Sequence, residues 1–351
     1  MQISDPFLQR CLELARIPGA AVEPNPRVGA VVVHQNRIIG EGFHRRYGGP
    51  HAEVNAVRSV TDLSLLPEST LYVSLEPCNH HGKTPPCTEL ILKHGIRKVV
   101  IGGLDPNPQM AGRSVAFLRE RGVEVKVSVE TAAFAQVIQH FAVNYSQKRP
   151  FVTLKWAESR DGFIAGHNAQ FEPIRTAIST PAISRFVHFQ RAQHQAILVG
   201  QRTVHIDSPR LTTRRWPGPD PIKIVFDPQL DLGKQPTLYG DPRTIVLNEQ
   251  EHAPDGRPRR IRVDGRSLSE TLVYLYREMK IGSILVEGGR VTLEHFLRQG
   301  CWDEAWRNLG DQSLDSGVPA PAGLADREPA AVHTIDGQQL WHYCRDTPAN
   351  Q

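Results

Sequence analysis

Four residues of this sequence combine side-chain types and spacing that point directly to chemistry. His51 and Glu53 lie two positions apart in "PHAEVNAV", and Cys78 and Cys87 follow in "LEPCNHHGKTPPC". Catalytic zinc takes three protein ligands and keeps a fourth position for water, and the imidazole with the two thiolates supplies such a set. Glu53 would then stay off the metal and move protons between the water and a leaving amine. H-x-E followed by P-C and a second cysteine is typical of zinc deaminases.

Two other interpretations of these residues stay open. Each of the four could have an ordinary structural role in one domain. Alternatively, they could hold a closed structural zinc, which needs a fourth ligand, and His80 and His81 lie between the cysteines as candidates.

The segment between the cysteines, "NHHGKTPP", is longer than the two residues of the usual deaminase pattern. We expect it to form a loop that reaches the substrate. Its His80, His81, Lys83 and Thr84 offer donors that suit a phosphate or a sugar.

Strands and helices alternate around these residues. The pattern predicts a helix after the N-cap Asp5, a hairpin through "HQNR", and a helix entered at His51. A strand that ends at Cys78, a helix that begins at Cys87 and the strand "RKVVIGG" then form a βαβ unit, which implies a parallel pair.

The chain has 351 residues, which favours two domains over one core. The helical pattern breaks at Arg149 and Pro150, so we expect domains over 1–148 and 149–351, both of the α/β class. The second domain contains no G-x-G-x-x-G motif. Gly288 and Gly289 do lie between a strand and a helix, where they form either a phosphate-binding turn or a plain tight turn.

Composition excludes several classes of protein. The net charge is +4 without a long basic run, and no apolar run could span a membrane, so neither a nucleic-acid nor a membrane partner is indicated. Five cysteines are an odd number and too few for a disulfide scaffold in a chain of this length. This favours a reducing compartment and a cytoplasmic enzyme. The cysteines outside the motif (Cys11, Cys301 and Cys344) are expected to be structural or free thiols.

"NPRVGAVVV", "GEGFH", "HAEVNA", "LEPCNHHGKTPPC" and "DPNP" together resemble the deaminase half of the bifunctional riboflavin biosynthesis deaminase/reductase family, often called RibD. The resemblance implies a cytidine-deaminase-like α/β/α domain that removes the 2-amino group of 2,5-diamino-6-ribosylamino-4(3H)-pyrimidinone 5′-phosphate. It implies that His51, Cys78 and Cys87 hold zinc and that Glu53 is the proton shuttle. The implied residues of the substrate pocket are Asn25, His44, Lys83 and Thr84.

"LKWAESRDGFIA", "RAQHQAILVGQRTVHIDSPRLTTR" and "LVEGG" are similar to the reductase half of the same family. The resemblance implies a dihydrofolate-reductase-like α/β domain in which NADPH transfers a hydride to C1′ of the ribosylamino group, giving 5-amino-6-ribitylaminouracil 5′-phosphate. It also implies a homo-oligomer. The implied cofactor-binding residues are Ala157, Thr203, Asp207, Gly288 and Gly289. The implied substrate-facing residues are Arg191, Leu211, Arg214 and Glu287, whose two arginines suit a phosphate.

The sequence departs from that family at Arg160, at Ser208 and after Trp302. An alternative therefore stays open in which the first domain deaminates while the second is a degenerate reductase or senses nucleotides. A nucleoside or nucleic-acid deaminase would share the zinc chemistry but would leave the second domain without a role.

Overall fold

Two α/β units, Met1–Lys148 and Arg149–Gln351, make up the chain. The structure, a computed structural model, describes residues 3–81, 85–232, 238, 240–324 and 326–345. Each unit is built around its own large sheet, and the predicted α/β class is confirmed. Within the described residues, no helix is long and apolar enough to cross a membrane.

Five strands form the sheet of the first unit: β1 (Gly29–His34), β2 (Arg37–Phe43), β3 (Thr70–Val73), β4 (Lys98–Ile101) and β5 (Glu124–Val127). Their spatial order is β2-β1-β3-β4-β5. β1 is antiparallel to both of its neighbours, whereas β3, β4 and β5 are parallel, as the βαβ pattern predicted. The predicted hairpin turns at Gln35 and Asn36, both with positive φ.

The α-helices in the described part of this unit are α1 (Pro6–Arg16), α2 (Ala52–Arg58), α3 (Cys87–Lys93), α4 (Arg113–Glu120), α5 (Thr131–Val137) and α6 (Gln139–Gln147). α1 begins at the predicted N-cap Asp5, whose carboxylate accepts the N–H groups of Phe7 and Leu8. The apolar pattern of "TAAFAQVIQHFAVNYSQK", residues 131–148, predicts one continuous helix, but the structure has α5 and α6 there. The helix is broken at Ile138, where the backbone leaves the helical region at φ −102 and ψ 13.

Alternation along the central strands divides the core of the first unit into two layers. Leu71 and Val73 of β3 pack with residues of α2, α3 and α4 on one face of the sheet. Tyr72, between them, packs on the other face with residues of α1 and α5. The unit is therefore a three-layer α/β/α structure with helices on both faces.

A nine-stranded sheet forms the second unit. Its strands are β6 (Phe151–Glu158), β9 (Ala196–Gly200), β10 (Ile222–Phe226), β11 (Ile245–Asn248), β12 (Arg259–Arg262), β13 (Ser283–Val286), β14 (Glu304–Leu309), β16 (Ala331–Ile335) and β17 (Gln338–Cys344). The order is β12-β11-β10-β9-β13-β6-β14-β17-β16, and the pairings are parallel as far as β14 and antiparallel beyond it. A small sheet adds β7 (Phe163–His167), β8 (Pro173–Ile174) and β15 (Val318–Pro319).

The described helices of this unit include the three that the sequence predicted and one short helix that it did not. They are α7 (Pro181–Gln193), α8 (Gln201–Asp207), α9 (Leu268–Arg277) and α10 (Arg290–Arg298). α8 is the short unpredicted one. β14, β16 and β17 were not predicted from the sequence. The buried positions of β14 and β17 include the charged or polar residues Glu304, Asn308 and Gln338, and β16 has no buried position, so none of the three shows a clean apolar alternation.

A buried chain of hydrogen bonds joins three strands of this unit to the end of α7. His342 Nε2 lies 3.0 Å from Glu304 Oε2, and the hydroxyl of Thr153 donates to Glu304 Oε1 at 2.9 Å. His194 Nε2 lies 2.6 Å from the same hydroxyl oxygen, and its Nδ1 donates to the carbonyl of Gln190 at 2.7 Å.

The pKa shifts in this network make the stability of the second unit depend on pH. Burial opposes charge on His342, but hydrogen bonds with Cys344 and Glu304 outweigh it and raise its pKa to about 9. Because this pKa lies above the ordinary value of 6.5, the stabilisation is complete below about pH 6.5 and is lost as the pH rises through about 9.

We predict that H342Q removes this alkaline loss of stability. The wild-type free energy of unfolding should fall by about 2 kcal/mol between pH 6.5 and 9, and that of H342Q should change little. Urea unfolding followed by tryptophan fluorescence measures it, since all 5 tryptophans (Trp156, Trp216, Trp302, Trp306 and Trp341) lie in the second unit. H252Q, at an exposed histidine of the same unit, should behave as wild type. An unchanged pH dependence in H342Q would contradict the prediction.

Candidate active sites

α2 positions His51 and Glu53. His51 is the N-cap residue of α2, and its carbonyl accepts the N–H of Asn55 at 3.1 Å. The Asn55 side chain donates to the carbonyls of Phe43 at 2.8 Å and Pro50 at 3.3 Å, which fixes the loop that leads into the helix. Glu53 follows in the first turn and is 3% exposed. Both predicted residues therefore lie at the start of one buried helix.

Glycine at position 42 allows α2 to lie directly against the sheet. A Cβ at Gly42 would lie 2.4 Å from the backbone nitrogen of Ala56, so any side chain there would push α2 away from β2. The position of His51 and Glu53 relative to the sheet thus depends on this close contact.

Cys78 lies in an irregular segment, not at the end of a strand as predicted. β3 ends at Val73, and the N–H groups of Ser74 and Glu76 still donate to the carbonyls of Gly29 and Gly103. Pro77 has no N–H with which to continue these contacts, and Glu76 turns its carboxylate into the protein. That carboxylate accepts the N–H groups of Asp105 at 3.1 Å and Gly112 at 2.9 Å. It also accepts the N–H of Ser114 at 3.0 Å and its hydroxyl at 2.6 Å. Glu76 therefore anchors the segment that carries Cys78.

Hydrogen bonds from Cys87 and Thr88 to Cys78 and Asn79 hold the two cysteines close together. The N–H of Cys87 donates to Cys78 Sγ at 3.3 Å, and the N–H of Thr88 donates to the carbonyl of Cys78 at 3.3 Å. The Thr88 hydroxyl donates to Asn79 Oδ1 at 2.8 Å. Cys87 opens α3, as predicted, so the start of this helix is tied to the segment anchored by Glu76.

His51, Cys78 and Cys87 bring their donor atoms to one point. Nδ1 of His51 lies 3.5 Å from the sulfur of Cys78 and 3.4 Å from the sulfur of Cys87, and all three atoms lie within 4.8 Å of one another. Tetrahedral zinc with ordinary Zn–N and Zn–S bonds would separate nitrogen and sulfur by about 3.6 Å. The donor set and its spacing therefore fit zinc.

The cluster has three ligands among the residues that the structure describes, which leaves a fourth position for water. His81, one candidate for a closed structural site, pairs instead with Glu89 at 3.0 Å on the exposed surface. His80 lines the neighbouring pocket and is not part of the cluster. The geometry is that of a catalytic and not a closed zinc site.

The charges in the cluster are strongly perturbed. The hydrogen bond from Cys87, together with His51, lowers the pKa of the Cys78 thiol in spite of burial. The pKa of Cys87 is raised by its hydrogen bond with Cys78 and by burial. Burial, and then the charge of Cys78, raise the pKa of Glu53 to about 7. The surroundings thus favour a thiolate at Cys78, the form that binds metals.

A cavity of about 330 Å³ opens onto the cluster. Asn25 and His44 line it as predicted, and Nδ2 of Asn25 lies 3.1 Å from Nε2 of His44. Because Nδ1 of His44 donates to the carbonyl of Pro50 at 3.0 Å, Nε2 accepts from Asn25. Among the described residues none donates to the amide oxygen of Asn25, which can therefore accept from a ligand.

Two predicted pocket residues, Lys83 and Thr84, lie outside the described residues. The structure adds pocket residues that the sequence analysis did not single out, among them Tyr47, Asp105 and Phe141. The quoted motif "DPNP" contained a signal for Asp105. No local signal marks Phe141, which lies in α6, far along the chain from the motifs.

In the second unit, topology gathers the predicted residues at one edge of the sheet. β6, β13 and β9 are adjacent and parallel, so their carboxyl ends share an edge. Ala157 lies near the end of β6, Glu287 directly follows β13, and α8 with Thr203 and Asp207 directly follows β9. Open α/β sheets bind ligands outside the carboxyl ends of their strands.

The turn between β13 and α10 fits a nucleotide phosphate. Gly289 is the N-cap of α10, no side chain caps that helix, and its N–H donates to the hydroxyl of Thr203 at 2.9 Å. A Cβ at Gly288 would lie 2.7 Å from Cβ of Thr292, so the turn needs glycine there. Uncapped N–H groups at a helix start bind phosphate groups, and a glycine pair lets a ligand approach the backbone. Asp207 ends α8, and burial raises its pKa against the effect of Arg175.

The resemblance implied that Arg191 suits a phosphate of the substrate. In the structure its guanidinium is instead engaged by other groups of the protein. Its Nε and Nη2 donate to the two oxygens of Glu287 at 2.7 and 2.9 Å, and its Nη1 donates to the carbonyl of Thr212 at 2.9 Å. Burial opposes charge on Glu287, but Arg191 outweighs it and lowers the pKa of this carboxyl. This bidentate ion pair fixes the orientation of the Glu287 carboxylate.

Lys155, which the sequence motifs did not indicate, lies near Glu287 and Arg191. It lies in β6, and burial lowers its pKa while the nearby Glu287 opposes that shift. The signal was available, because Lys155 is the one charged residue in the otherwise apolar and polar run "FVTLKWA". A partly buried lysine beside a carboxylate marks a functional position.

Arg214 belongs to a group of arginines at the same place. Burial, and then Arg191, Arg215, Arg210 and Arg175, lower its pKa. One hydrogen bond, from Nη1 to the hydroxyl of Thr212 at 3.3 Å, is described for its guanidinium. Such a concentration of like charge favours an anionic ligand.

Leu211 and His188 complete this region. The Leu211 side chain is 2% exposed and packs in the core, so only its backbone, at φ +54, could face a ligand. The prediction that Leu211 faces the substrate therefore does not hold for its side chain. Burial, and then Arg191 and Arg214, lower the pKa of His188 to about 4, so this histidine adds no charge near neutral pH.

Comparison with known proteins gives matches in both units. The model of the "Cytidine and deoxycytidylate deaminase zinc-binding region" matches residues 1–103. The model of the "RibD C-terminal domain" matches residues 150–306.

Whole proteins match along most of the chain. Riboflavin biosynthesis protein RibD of Aquifex aeolicus is 37% identical over 86% of this chain and 85% of its own, and that of Escherichia coli is 33% identical over 85% of each. A crystal structure from Thermotoga maritima is described as a diaminohydroxyphosphoribosylaminopyrimidine deaminase/5-amino-6-(5-phosphoribosylamino)uracil reductase. It matches with a TM-score of 0.85 at 37% identity and covers 96% of this chain and 97% of its own.

We predict that substitution of a zinc ligand removes the zinc, whereas substitution of Glu53 does not. Purified wild-type protein should carry about one zinc per chain, and C87S should lose most of it because two ligands hold zinc weakly. E53Q should keep the zinc, since Glu53 is buried beside the cluster but not part of it. Metal analysis after dialysis measures this, with C344S as the control at an exposed cysteine. Loss of zinc from E53Q would contradict the assignment.

Proposed function

The chain belongs to the RibD family of riboflavin biosynthesis proteins, and from this premise we propose which of its residues carry each of its two activities. It is a bifunctional enzyme with a zinc-dependent deaminase and an NADPH-dependent reductase. We assign deamination to residues 1–148 and reduction to residues 149–351. The main support for this assignment is that the ligand atoms of His51, Cys78 and Cys87 lie within 4.8 Å of one another, beside the buried Glu53.

In the deaminase unit, we propose that His51, Cys78 and Cys87 hold the zinc. When bound there, zinc supplies the Lewis acidity that makes water a nucleophile at neutral pH. The carboxylate of Glu53 takes the two protons of the attacking water one after the other, and delivers the first to a ring nitrogen of the pyrimidine and the second to the amine, which leaves as ammonia. Its burial next to the ligands keeps bulk water from competing for these protons. The products are ammonia and a uracil ring.

Asn25, His44, Lys83 and Thr84 orient the deaminase substrate in this proposal. The amide oxygen of Asn25 can accept from the substrate, and the His44 tautomer holds the amide in that orientation. Lys83 and Thr84 are proposed to bind the phosphorylated sugar, as the family resemblance implies. Polar contacts of this kind hold the substrate in the geometry that the reaction requires.

In the reductase unit, we propose that the turn at Gly288 and Gly289, with Ala157, Thr203 and Asp207, binds NADPH. NADPH, when bound, supplies the hydride that reduces C1′ of the ribosylamino group. The hydroxyl of Thr203 accepts the N–H of Gly289 and so holds the turn in the conformation that receives the cofactor's phosphates.

Arg214 is our proposed partner for the phosphate of the reductase substrate. Arg191 orients Glu287, and Glu287 with Lys155 faces the sugar, where the ring opens and protons must be moved. Leu211 contributes its backbone. The reductase activity of the family disfavours the alternative of a degenerate or nucleotide-sensing second domain.

We also propose where the protein is located and how it assembles. A zinc site with Cys78 and Cys87 needs reduced thiols, and a reducing compartment such as the cytoplasm supplies that condition. We propose a homo-oligomer that acts on a small phosphorylated pyrimidine, with no nucleic-acid or membrane partner. Light scattering of the purified protein measures the oligomeric state.

The test of the function is an assay that follows ammonia release and NADPH oxidation separately with the diaminopyrimidine ribosylamino phosphate. Wild-type protein should give both signals. E53Q should lower ammonia release by roughly 10²–10⁴-fold, the range of general acid–base catalysis, and should still oxidise NADPH when the deaminated compound is supplied. Ammonia release without NADPH oxidation by the wild type would contradict the reductase assignment.

We also predict different effects for the two arginines of the reductase. R214A should raise the KM for the deaminated substrate by roughly 10-fold, with zinc content and ammonia release unchanged, because it removes one charge-assisted phosphate contact. R191A should lower kcat as well, since it leaves Glu287 buried without its partner. R298A, at an arginine in the last turn of α10, is the control. Equal KM values for R214A and wild type would contradict the phosphate assignment.

A further inference from the structure

We propose that Glu23 and His140 form a positioning pair that sets the substrate affinity of the deaminase by fixing the wall of the pocket that carries Asn25. The inference rests on the deaminase site proposed above. Glu23 is 5% exposed, and its Oε1 accepts from Nδ1 of His140 at 2.7 Å. Neither residue lines the pocket.

The pair joins two separate walls of the pocket. Asn25 lies two residues after Glu23, and Phe141 directly follows His140 in α6; both line the cavity. A shift of α6 or of the segment around Asn25 would therefore change the shape of the space in which the substrate lies. The contact between Glu23 and His140 is a direct link between these two walls.

The segment around Asn25 needs such a link because its backbone offers few hydrogen bonds. Pro24 and Pro26 flank Asn25, and neither has an N–H. The N–H of Asn25 donates to the carbonyl of Val22 at 2.9 Å, a contact within the same local turn. Contacts from side chains must therefore hold the segment against the rest of the unit.

Charge strengthens the link. Besides His140, Oε1 of Glu23 accepts from Nη2 of Arg27 at 3.4 Å, so two basic side chains hold one buried carboxylate oxygen. Arg27 belongs to the same segment as Asn25, whereas His140 belongs to α6. The carboxylate of Glu23 thus joins the two ends of the segment to each other through Arg27 and attaches the segment to α6 through His140.

The experiment compares variants that keep or remove the donor at the Nδ1 position of His140. The amide nitrogen of Asn can occupy the place of Nδ1, so H140N should retain a KM within about 3-fold of wild type. H140L and E23L should raise the KM for deamination by roughly 10-fold or more, with kcat changed less, because positioning errors of about an ångström are costly. The double variant should be no worse than either single one.

Readouts outside the pocket separate positioning from a general structural role. Zinc content and NADPH oxidation of the supplied deaminated compound should stay at the wild-type level in all four variants. A wild-type KM in H140L and E23L would overturn the inference, and so would loss of zinc or of both activities together. If H140L does not fold, H140Q, whose amide nitrogen instead matches Nε2, must show the raised KM that H140N lacks.

The same assay includes wild type and E53Q as references. Ammonia release by the wild type, lowered by roughly 10²–10⁴-fold in E53Q, establishes the deaminase site itself. Failure of that reference would overturn the proposed function together with the inference. With the reference intact, equal KM values for wild type and H140L would overturn the positioning pair alone.

Discussion

Burying a charge without a partner costs several kcal/mol, and both units are organised around carboxylates that meet this constraint. Glu76 accepts four hydrogen bonds from residues 105–114 and so anchors the irregular segment that carries Cys78. In the second unit, Glu287 is held by Arg191, and Glu304 lies between His342 and Thr153. Asp303 likewise accepts both terminal nitrogens of Arg149 at the start of β6. The pairs fix chain segments that the sheets alone do not hold.

Glu76 and Glu287 lie where a strand has ended and a proposed active residue is near. Hydrogen-bonded strands position atoms well along their length, but the predicted ligands and substrate contacts come after the strands or before the helices. At those points the backbone no longer makes a continuous ladder, so side chains must supply the missing contacts. Glu76 does this after β3, and Glu287 itself follows β13 directly. Rigid positioning of this kind is what catalytic geometry requires.

The sequence predicted the order of most strands and helices, and the motif residues His51, Glu53, Cys78 and Cys87, because apolar periodicity and short motifs are local signals. What it could not predict depends on partners distant in the chain. Arg191 was expected to bind phosphate, but Glu287, nearly a hundred positions away, occupies its guanidinium. β14 and β17 were missed because Glu304 and His342 face each other in the interior, where an apolar pattern was expected. Phe141 reaches the pocket only through the tertiary fold.

Partner type also distinguishes structural from reactive carboxylates. Of the buried carboxylates considered above, Glu23, Glu287 and Glu304 each face a basic side chain, and Glu76 faces backbone and hydroxyl donors. For Glu287 and Glu304, the basic partners outweigh burial and lower the pKa of the carboxyl group. Glu53 is equally buried but lies beside the histidine and cysteines of the metal cluster. No arginine or lysine is described as pairing with it, so its proton is not committed to a structural contact. A carboxyl group in that condition can both accept and release a proton during turnover, which is the property that deamination requires.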